Sequence, residues 1–295
     1  MEMKLLRYFL EAANELNITR TAAKFHIAQP AMSKQLGKLE RELGRKLYVS
    51  NKHGIRLTPD GVLFRKRAQE IVDLEEKTLA EFAGNDCQNI TGTVYIGAGE
   101  TQGVKYVGRV LREIRAEYPG ISYRMISGDF EDVAEKLGKG LIDFGLFVGK
   151  ANLRDYDCIS LPYSDRWGVV VRVDDALAER GGISPDDLRD RELLFSHQAH
   201  THGEFSEWLG FRSDQLNITG THNLAYNAAI MVREGLGVLI TIEGIVNTEN
   251  DSGLRFIPLM PEIKAGLVLA SKKNAILSKA AQVFRQSLIA SFTES

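Results

Sequence analysis

Gln29, Ser33, Lys34, Gln35 and Lys38 fall within one predicted helix, and their types suit a single task, contact with a duplex. A glutamine amide can pair two-pronged with adenine, a lysine ammonium reaches guanine O6/N7 or a phosphate, and a serine hydroxyl takes either role. A different chemistry is offered by three strand-to-helix turns: Gly97-Ala98-Gly99-Glu100-Thr101-Gln102-Gly103, Ser127-Gly128-Asp129, and the run from Ser196 to Gly203 that holds Gln198, His200 and Thr201. Backbone N–H groups and hydroxyls at such places take up small molecules. The first turn is mis-spaced for a dinucleotide fingerprint, with three residues instead of two before its last glycine. Asp143-Phe144-Gly145 lacks the glycine-rich loop, paired lysine and catalytic loop of a kinase and is read as a strand end. His197, His200, His202 and His222 invite a metal, yet no cysteine or carboxylate is spaced to close a site, so they are read as effector-facing or incidental. With no Gly-x-Ser-x-Gly elbow, metal triad or phosphate loop, the expectation is no catalytic residue, no metal and no cofactor.

The elements that must position these groups follow from periodicity. Leu6, Phe9, Leu10 and Ala13 make one apolar stripe, which predicts a helix over 3–16. Thr19 is the expected N-cap of a second helix, with Ala22, Ala23 and Phe25 facing inward. After a turn at His26-Ile27-Ala28, Pro30 suits the first turn of a third helix. Its expected seam is Ala31/Met32, Gln35/Leu36, Leu39 and Leu43, and Gly44 ends it. Three short helices with a tight turn before the third describe a helix-turn-helix unit. Lys46, Lys52, His53 and Arg56 then flank a glycine-containing hairpin, a basic wing.

Charge separates this head from the rest. Residues 1–67 hold 14 Lys+Arg against 6 Asp+Glu, and the other 228 hold 23 against 33, so +8 and -10 lie behind the net -2. A basic head on an acidic body suggests that the head alone meets a polyanion. Thr58-Pro59 begins a long helix to about Phe82, striped by Phe64, Ala68, Ile71, Leu74, Thr78 and Phe82, and a second copy is the expected cover for that stripe. From Gly92, strands at 93–98, 121–127, 141–148, 167–173, 193–196, 215–219, 237–242, 254–258 and 266–271 alternate with helices. That pattern predicts parallel sheets covered on both faces.

The run Ala22-Ala23-Lys24-Phe25-His26-Ile27-Ala28-Gln29-Pro30-Ala31-Met32-Ser33-Lys34-Gln35-Leu36, followed by 39–48 and Leu57-Thr58-Pro59-Asp60-Gly61, resembles the N-terminal domain of LysR-type transcriptional regulators. The resemblance runs residue by residue to about residue 90 and thereafter in length and layout. It implies that Gln29, Pro30, Ser33 and Lys34 sit at the major groove. Ala28 stands where many relatives have serine. Val49-Ser50 replaces a usual Glu-Arg, which leaves Lys52 and His53 as the wing's substitutes for phosphate contact.

The resemblance implies an α plus α/β chain. It comprises a winged helix-turn-helix (1–58), a linker and dimerisation helix (59–88), and a two-lobed α/β effector-binding domain (92–295) like a periplasmic solute-binding protein. Lobe I is expected at 92–161 and 267–295, and lobe II at 162–266. It further implies a small, anionic effector held by Thr101, Gln102, Ser127, Gly128, Ser196, Gln198, His200 and Thr201, near the matching Phe147 and Thr241. The partners implied are promoter or operator double-stranded DNA, RNA polymerase, and further copies in a homodimer or homotetramer.

The function expected is sequence-specific DNA-binding transcription regulation modulated by a metabolite, not enzyme activity. The alternative, a small-molecule-binding α/β protein or enzyme with an accessory helical domain, leaves the basic head without a purpose. No run of about 18 apolar residues is present, and the start lacks a secretory pattern. Cys87 and Cys158 lack Cys-x-x-Cys spacing. A cytoplasmic location without a membrane partner is therefore expected.

Overall fold

Helix α1 (Met3–Glu15) buries Leu5, Leu6, Phe9, Leu10, Ala12 and Ala13, the stripe its three- and four-residue spacing requires. In the computed structural model of the chain, residues 1–51, 54–83, 90–149, 153–197, 205–210, 213–249 and 251–293 are described. The chain divides into two units, Met1–Phe82 and Ala83–Ser295.

In the first unit α2 (Ile18–Lys24) is capped by Asn17, whose side chain accepts the Arg20 N–H, and not by the expected Thr19. Asn17 has the extended backbone an N-cap needs, and Thr19 already lies inside the helix. Thr21 and Ala22 are buried, whereas Ala23 is exposed and Phe25 only half-buried, so the inward face is turned by one residue from the expected one. Helix α3 (Gln29–Leu43) has Pro30 in its first turn and ends at Gly44 in the left-handed region. Met32, Leu36 and Leu39 form its buried seam. Ala31 and Leu43 are exposed instead, and Glu40 takes the inner place. Its Oε1 accepts the Leu47 N–H at 2.9 Å and its Oε2 the Lys46 ammonium at 2.7 Å.

Strands β1 (Tyr48–Asn51) and β2 (Gly54–Leu57) pair antiparallel with Asn51 opposite Gly54; Lys52 and His53 lie outside the described residues. The Leu16 carbonyl accepts the Ile55 N–H at 2.8 Å, and a Cβ on Gly54 would sit 2.1 Å from that same oxygen. Only glycine lets the hairpin dock there. Helix α4 (Pro59–Ala83) starts with Thr58 Oγ1 accepting the Gly61 N–H. Its expected single stripe divides: Ala68 and Val72 are buried in the head core with Phe64 packed on it, while Leu63, Ile71, Leu74, Leu79 and Phe82 remain exposed.

In the second unit the strands are β3 (Gly92–Ala98), β4 (Ile121–Ser127), β5 (Phe144–Val148), β6 (Tyr156–Arg172), β7 (Leu193–Ser196), β8 (Ile218–His222), β9 (Val238–Ile242), β10 (Leu254–Pro258) and β11 (Lys264–Lys272). The helices are α5 (Val104–Glu117), α6 (Phe130–Gly138), the single turn α7 (Ser206–Leu209), α8 (Ala225–Arg233) and α9 (Lys279–Thr293). The order β4-β3-β5-β11-β6-β9-β7-β8, with β10 on β6, is mixed rather than parallel. Only β3–β4, β3–β5, β7–β8 and β7–β9 run parallel.

The departure comes from β6, a 17-residue strand of which only the second half was expected. Its first half pairs antiparallel with β11 up to Arg166, and from Trp167 onward it pairs with β9. One strand therefore serves two lobes. One lobe packs Val94, Ile96, Phe144 and Leu146 against α5 and α9, and the other packs Val169, Leu193, Val238 and Ile240 around Phe205. Strand β8 lies three residues later than expected, because Ser213–Gln215 forms a 3-10 turn.

Glu40 supplies a prediction about the head. Glu40→Ala leaves the Leu47 N–H buried without its acceptor, and should cost the head about 1–3 kcal/mol in urea unfolding. Lys46→Ala removes only an exposed partner and should cost less than about 1 kcal/mol. Equal losses would show that the ion pair, not the backbone acceptor, carries the effect.

Candidate nucleic-acid interface and ligand cavity

With Met32, Leu36 and Leu39 sealed inward, the outer side of α3 presents Pro30, Lys34 and Arg41 exposed and Ser33, Gly37 and Lys38 partly so. The Gln29 Nε2 donates to Ser33 Oγ at 2.9 Å, fixing two expected base-reading groups one turn apart. Gln35 is half-buried at the flank. Lys38 is engaged by Glu2 at 2.5 Å, and that partner raises its pKa. Arg56 is exposed on β2 opposite Val49, and Lys52 and His53 lie outside the described residues. Arg41 and Gly37 are not among the expected contacts. A Cβ on Gly37 would meet nothing within 4 Å, so this glycine leaves an open notch in the exposed face.

In the second unit a cavity of ≈ 80 Å³ opens between the lobes. Its walls include Leu146, Phe147 and Val148 from one lobe and Trp167, Ile240 and Ile242 from the other, with Glu100, Asp129, Ser196, His222, Asn223 and Thr241 supplying polar groups. Of the expected effector residues, Gly128, Phe147, Ser196 and Thr241 line this cavity. Thr101 is buried beside it, donating to Asp165 Oδ2 at 2.5 Å and accepting the Gly103 N–H. Burial raises the Asp165 pKa, opposed by hydrogen bonds from Thr101, the Gln102 backbone and Tyr163. Gln102 reaches across the lobes to the Gly244 carbonyl. Ser127 is exposed at the end of β4 and is absent from the lining. Gln198, His200 and Thr201 lie outside the described residues, as does His202. Among the described residues no cluster of three or more His, Cys, Asp or Glu is arranged to hold a metal ion, and none of the helices is long and apolar enough to cross a membrane.

Two polar atoms at this cavity are unusual. The Trp167 Nε1 and the His222 Nδ1 are buried with no hydrogen-bond partner, a costly state that a ligand can relieve. Burial pushes His222 down to about 4, against a hydrogen bond to the Phe195 backbone that favours its proton. At neutral pH the ring is therefore uncharged, and Nδ1 accepts or donates according to its tautomer. The expectation of an anionic ligand meets a lining in which Glu100 and Asp129 are the charged residues, with no Lys or Arg among the described ones. Trp167, Glu100 and Asn223 were not singled out as ligand contacts, and His222 only within a group of histidines read as effector-facing or incidental; the pairing of β8 with β7 and of β6 with β9 brings His222 and Trp167 to one place.

Comparison with known proteins adds the lineage. The bacterial regulatory helix-turn-helix protein, lysR family, model matches residues 3–62, and the LysR substrate binding domain model matches residues 88–293. The HTH-type transcriptional regulator YcgK of Bacillus subtilis (strain 168) is 26% identical, over 100% of this chain and 97% of its own. The Hca operon transcriptional activator HcaR of Escherichia coli (strain K12) is 28% identical over 93% of each. Full-length CbnR complexed with its target DNA shares the fold at a TM-score of 0.75, with 18% identity over 99% of this chain and 100% of that one.

The half-buried His222 makes stability pH-dependent. An unfolded chain takes up the His222 proton near 6.5, whereas the folded one refuses it until about 4, so the stabilisation is complete above 6.5 and is lost as pH falls toward 4. The loss should reach roughly 3 kcal/mol. In denaturant titrations at pH 7 and pH 4.5, His222→Gln should show a smaller acid loss than the unaltered chain. An identical pH dependence in both would contradict the assignment.

Proposed function

The chain belongs to the LysR family of transcriptional regulators, DNA-binding proteins with an effector-binding domain rather than enzymes, and from that premise we propose how its own residues divide the work. Residues 1–58 read duplex DNA, residues 59–88 join two copies, and residues 92–295 sense a small molecule between lobes 92–161 with 267–295 and 162–266. The observation that carries the first assignment is the outer face of α3, where the seam Met32-Leu36-Leu39 holds Gln29, Ser33, Lys34 and Arg41 outward. Gln29 and Ser33 read base edges, Lys34, Arg41 and Arg56 meet phosphates, and Pro30 shapes the leading turn. The Gly37 notch admits the groove wall. Lys38 exchanges Glu2 for a phosphate, while Gln35 braces the flank, and Lys52 and His53 add further phosphate contacts.

The exposed side of α4, Leu63, Ile71, Leu74 and Phe82, supports pairing with a second copy, and two such dimers make a tetramer. Dimeric heads read an interrupted palindrome. The effector enters the cavity lined by Gly128, Phe147, Ser196 and Thr241, with Thr101 and Gln102 setting the turn beside it. A space of ≈ 80 Å³ is small beside ordinary ligand pockets, so the effector is compact. Binding there must favour one arrangement of the oligomer over another to change promoter contact and recruitment of RNA polymerase. The setting is the cytoplasm.

Electrophoretic retention on a cognate operator across a salt series tests the α3 assignment. Gln29→Ala or Ser33→Ala should lose ~1–3 kcal/mol at the cognate site and little elsewhere. Lys34→Ala should weaken every duplex and flatten the salt dependence. Gly37→Ala should raise stability by ~1 kcal/mol, since alanine is the better helix former, yet weaken operator binding by filling the notch. Unchanged binding by all of these variants would remove α3 from the interface.

A further inference from the structure

Which class of molecule the cavity accepts can be argued from its charges. Helix N-termini are the usual place for an anion, and two helices, α6 and α8, begin at this cavity. Both starts are already occupied by the protein's own carboxylates. Asp129 is the N-cap of α6 and accepts the Asp132 N–H at 2.9 Å. Glu100 reaches from the other lobe and accepts the Ala225 N–H, at the start of α8, at 2.6 Å. Each helix end carries about half a positive charge against a full negative one, so the pair leaves the cavity with an excess of roughly one negative charge. Lys and Arg are missing from the described lining, so no described cation offsets it.

Of the remaining polar groups, Ser196, Asn223 and Thr241 both donate and accept and so select no charge. His222 Nδ1, buried and unpartnered, belongs to a ring that stays neutral until about pH 4, and in the Nε2–H tautomer that nitrogen accepts a hydrogen bond. Phe130, Phe147 and Trp167 add aromatic surfaces, which attract cations. The indole N–H of Trp167 is a single buried donor and cannot offset two carboxylates. Leu146, Val148, Ile240 and Ile242 supply apolar walls for a short hydrocarbon body.

We propose that the interlobe cavity takes a compact organic cation, an ammonium group on a short apolar body, in preference to a carboxylate. The proposal rests on the reading of this cavity as the effector site and names the class of that effector. The ammonium donates to Glu100, Asp129 and the His222 lone pair, bridging the lobes, while the apolar body lies between Phe147 and Trp167.

Trp167 and Trp208 are the chain's two tryptophans, so the full-length Trp208→Phe chain reports the cavity wall by fluorescence. Isobutylammonium, isobutanol and isobutyrate are matched probes of charge +1, 0 and -1 at pH 7. Isobutylammonium should change the emission saturably, with a Kd at least about tenfold below that of isobutyrate, the scale of one charge-assisted hydrogen bond. Glu100→Gln and Asp129→Asn keep a capping oxygen and remove a charge. Each should weaken the ammonium by about tenfold and tighten isobutyrate. Tighter binding of isobutyrate, or equal binding of isobutanol and the ammonium, would overturn the charge preference and leave the cavity as an effector site. Absence of a saturable response to all three probes would overturn both readings.

Discussion

Burial of Met32, Leu36 and Leu39 in the head core leaves α3 no freedom to turn about its own axis, and every statement about what that helix touches follows from this. A helix can commit only one side to a core. Once the apolar seam is inside, Lys34 and Arg41 stand outside, with Ser33 and Gly37 beside them. The surrounding pieces reinforce that orientation. Glu40 ties the end of α3 to the start of β1 through the Leu47 N–H, and Gly54 lets the hairpin settle on the Leu16 carbonyl. The exposed polar array is therefore carried on a rigid frame, as recognition of a regular duplex requires.

The second unit depends on a comparable sharing of one element. Strand β6 gives its first half to the sheet of one lobe and its second half to the other, so the lobes cannot separate without disturbing it. Asp165 sits at that changeover, buried, with Thr101 hydrogen-bonded to it, and Gln102 and Glu100 span to the opposite lobe. The first strand-to-helix turn thus joins the lobes beside the cavity. A molecule held between Phe147 and Trp167 would add to the same bridge, and its binding energy would be drawn on the geometry of β6.

Local signals carried much of this. Pro30, Gly44 and the Met32-Leu36-Leu39 spacing located α3, and the glycine of the 51–55 stretch located the hairpin, because caps, breakers and amphipathic spacing act over a few residues. What escaped was decided by partners distant in the chain. Glu40 reads as a solvated helix residue until Leu47 folds back onto it. Thr101 has the look of a ligand contact, but Asp165 captures its hydroxyl. The first half of β6 was missed since its alternation has meaning only once β11 lies alongside. His222 and Trp167 reach the cavity through strand pairings that local spacing does not encode. Asn17 outcompeted Thr19 at the cap of α2 by a two-residue shift, the ordinary margin of helix boundaries.

Nuclease footprinting of the full-length chain on the DNA flanking its own gene tests the central claim, that a rigid helix face of this head reads duplex sequence. The account predicts one protected tract holding an interrupted palindrome, its half-sites spaced by about a whole number of helical turns, with protection abolished by a polar substitution in the seam such as Leu36→Asp. Uniform cleavage of that DNA, or protection that survives the seam substitution, would contradict it.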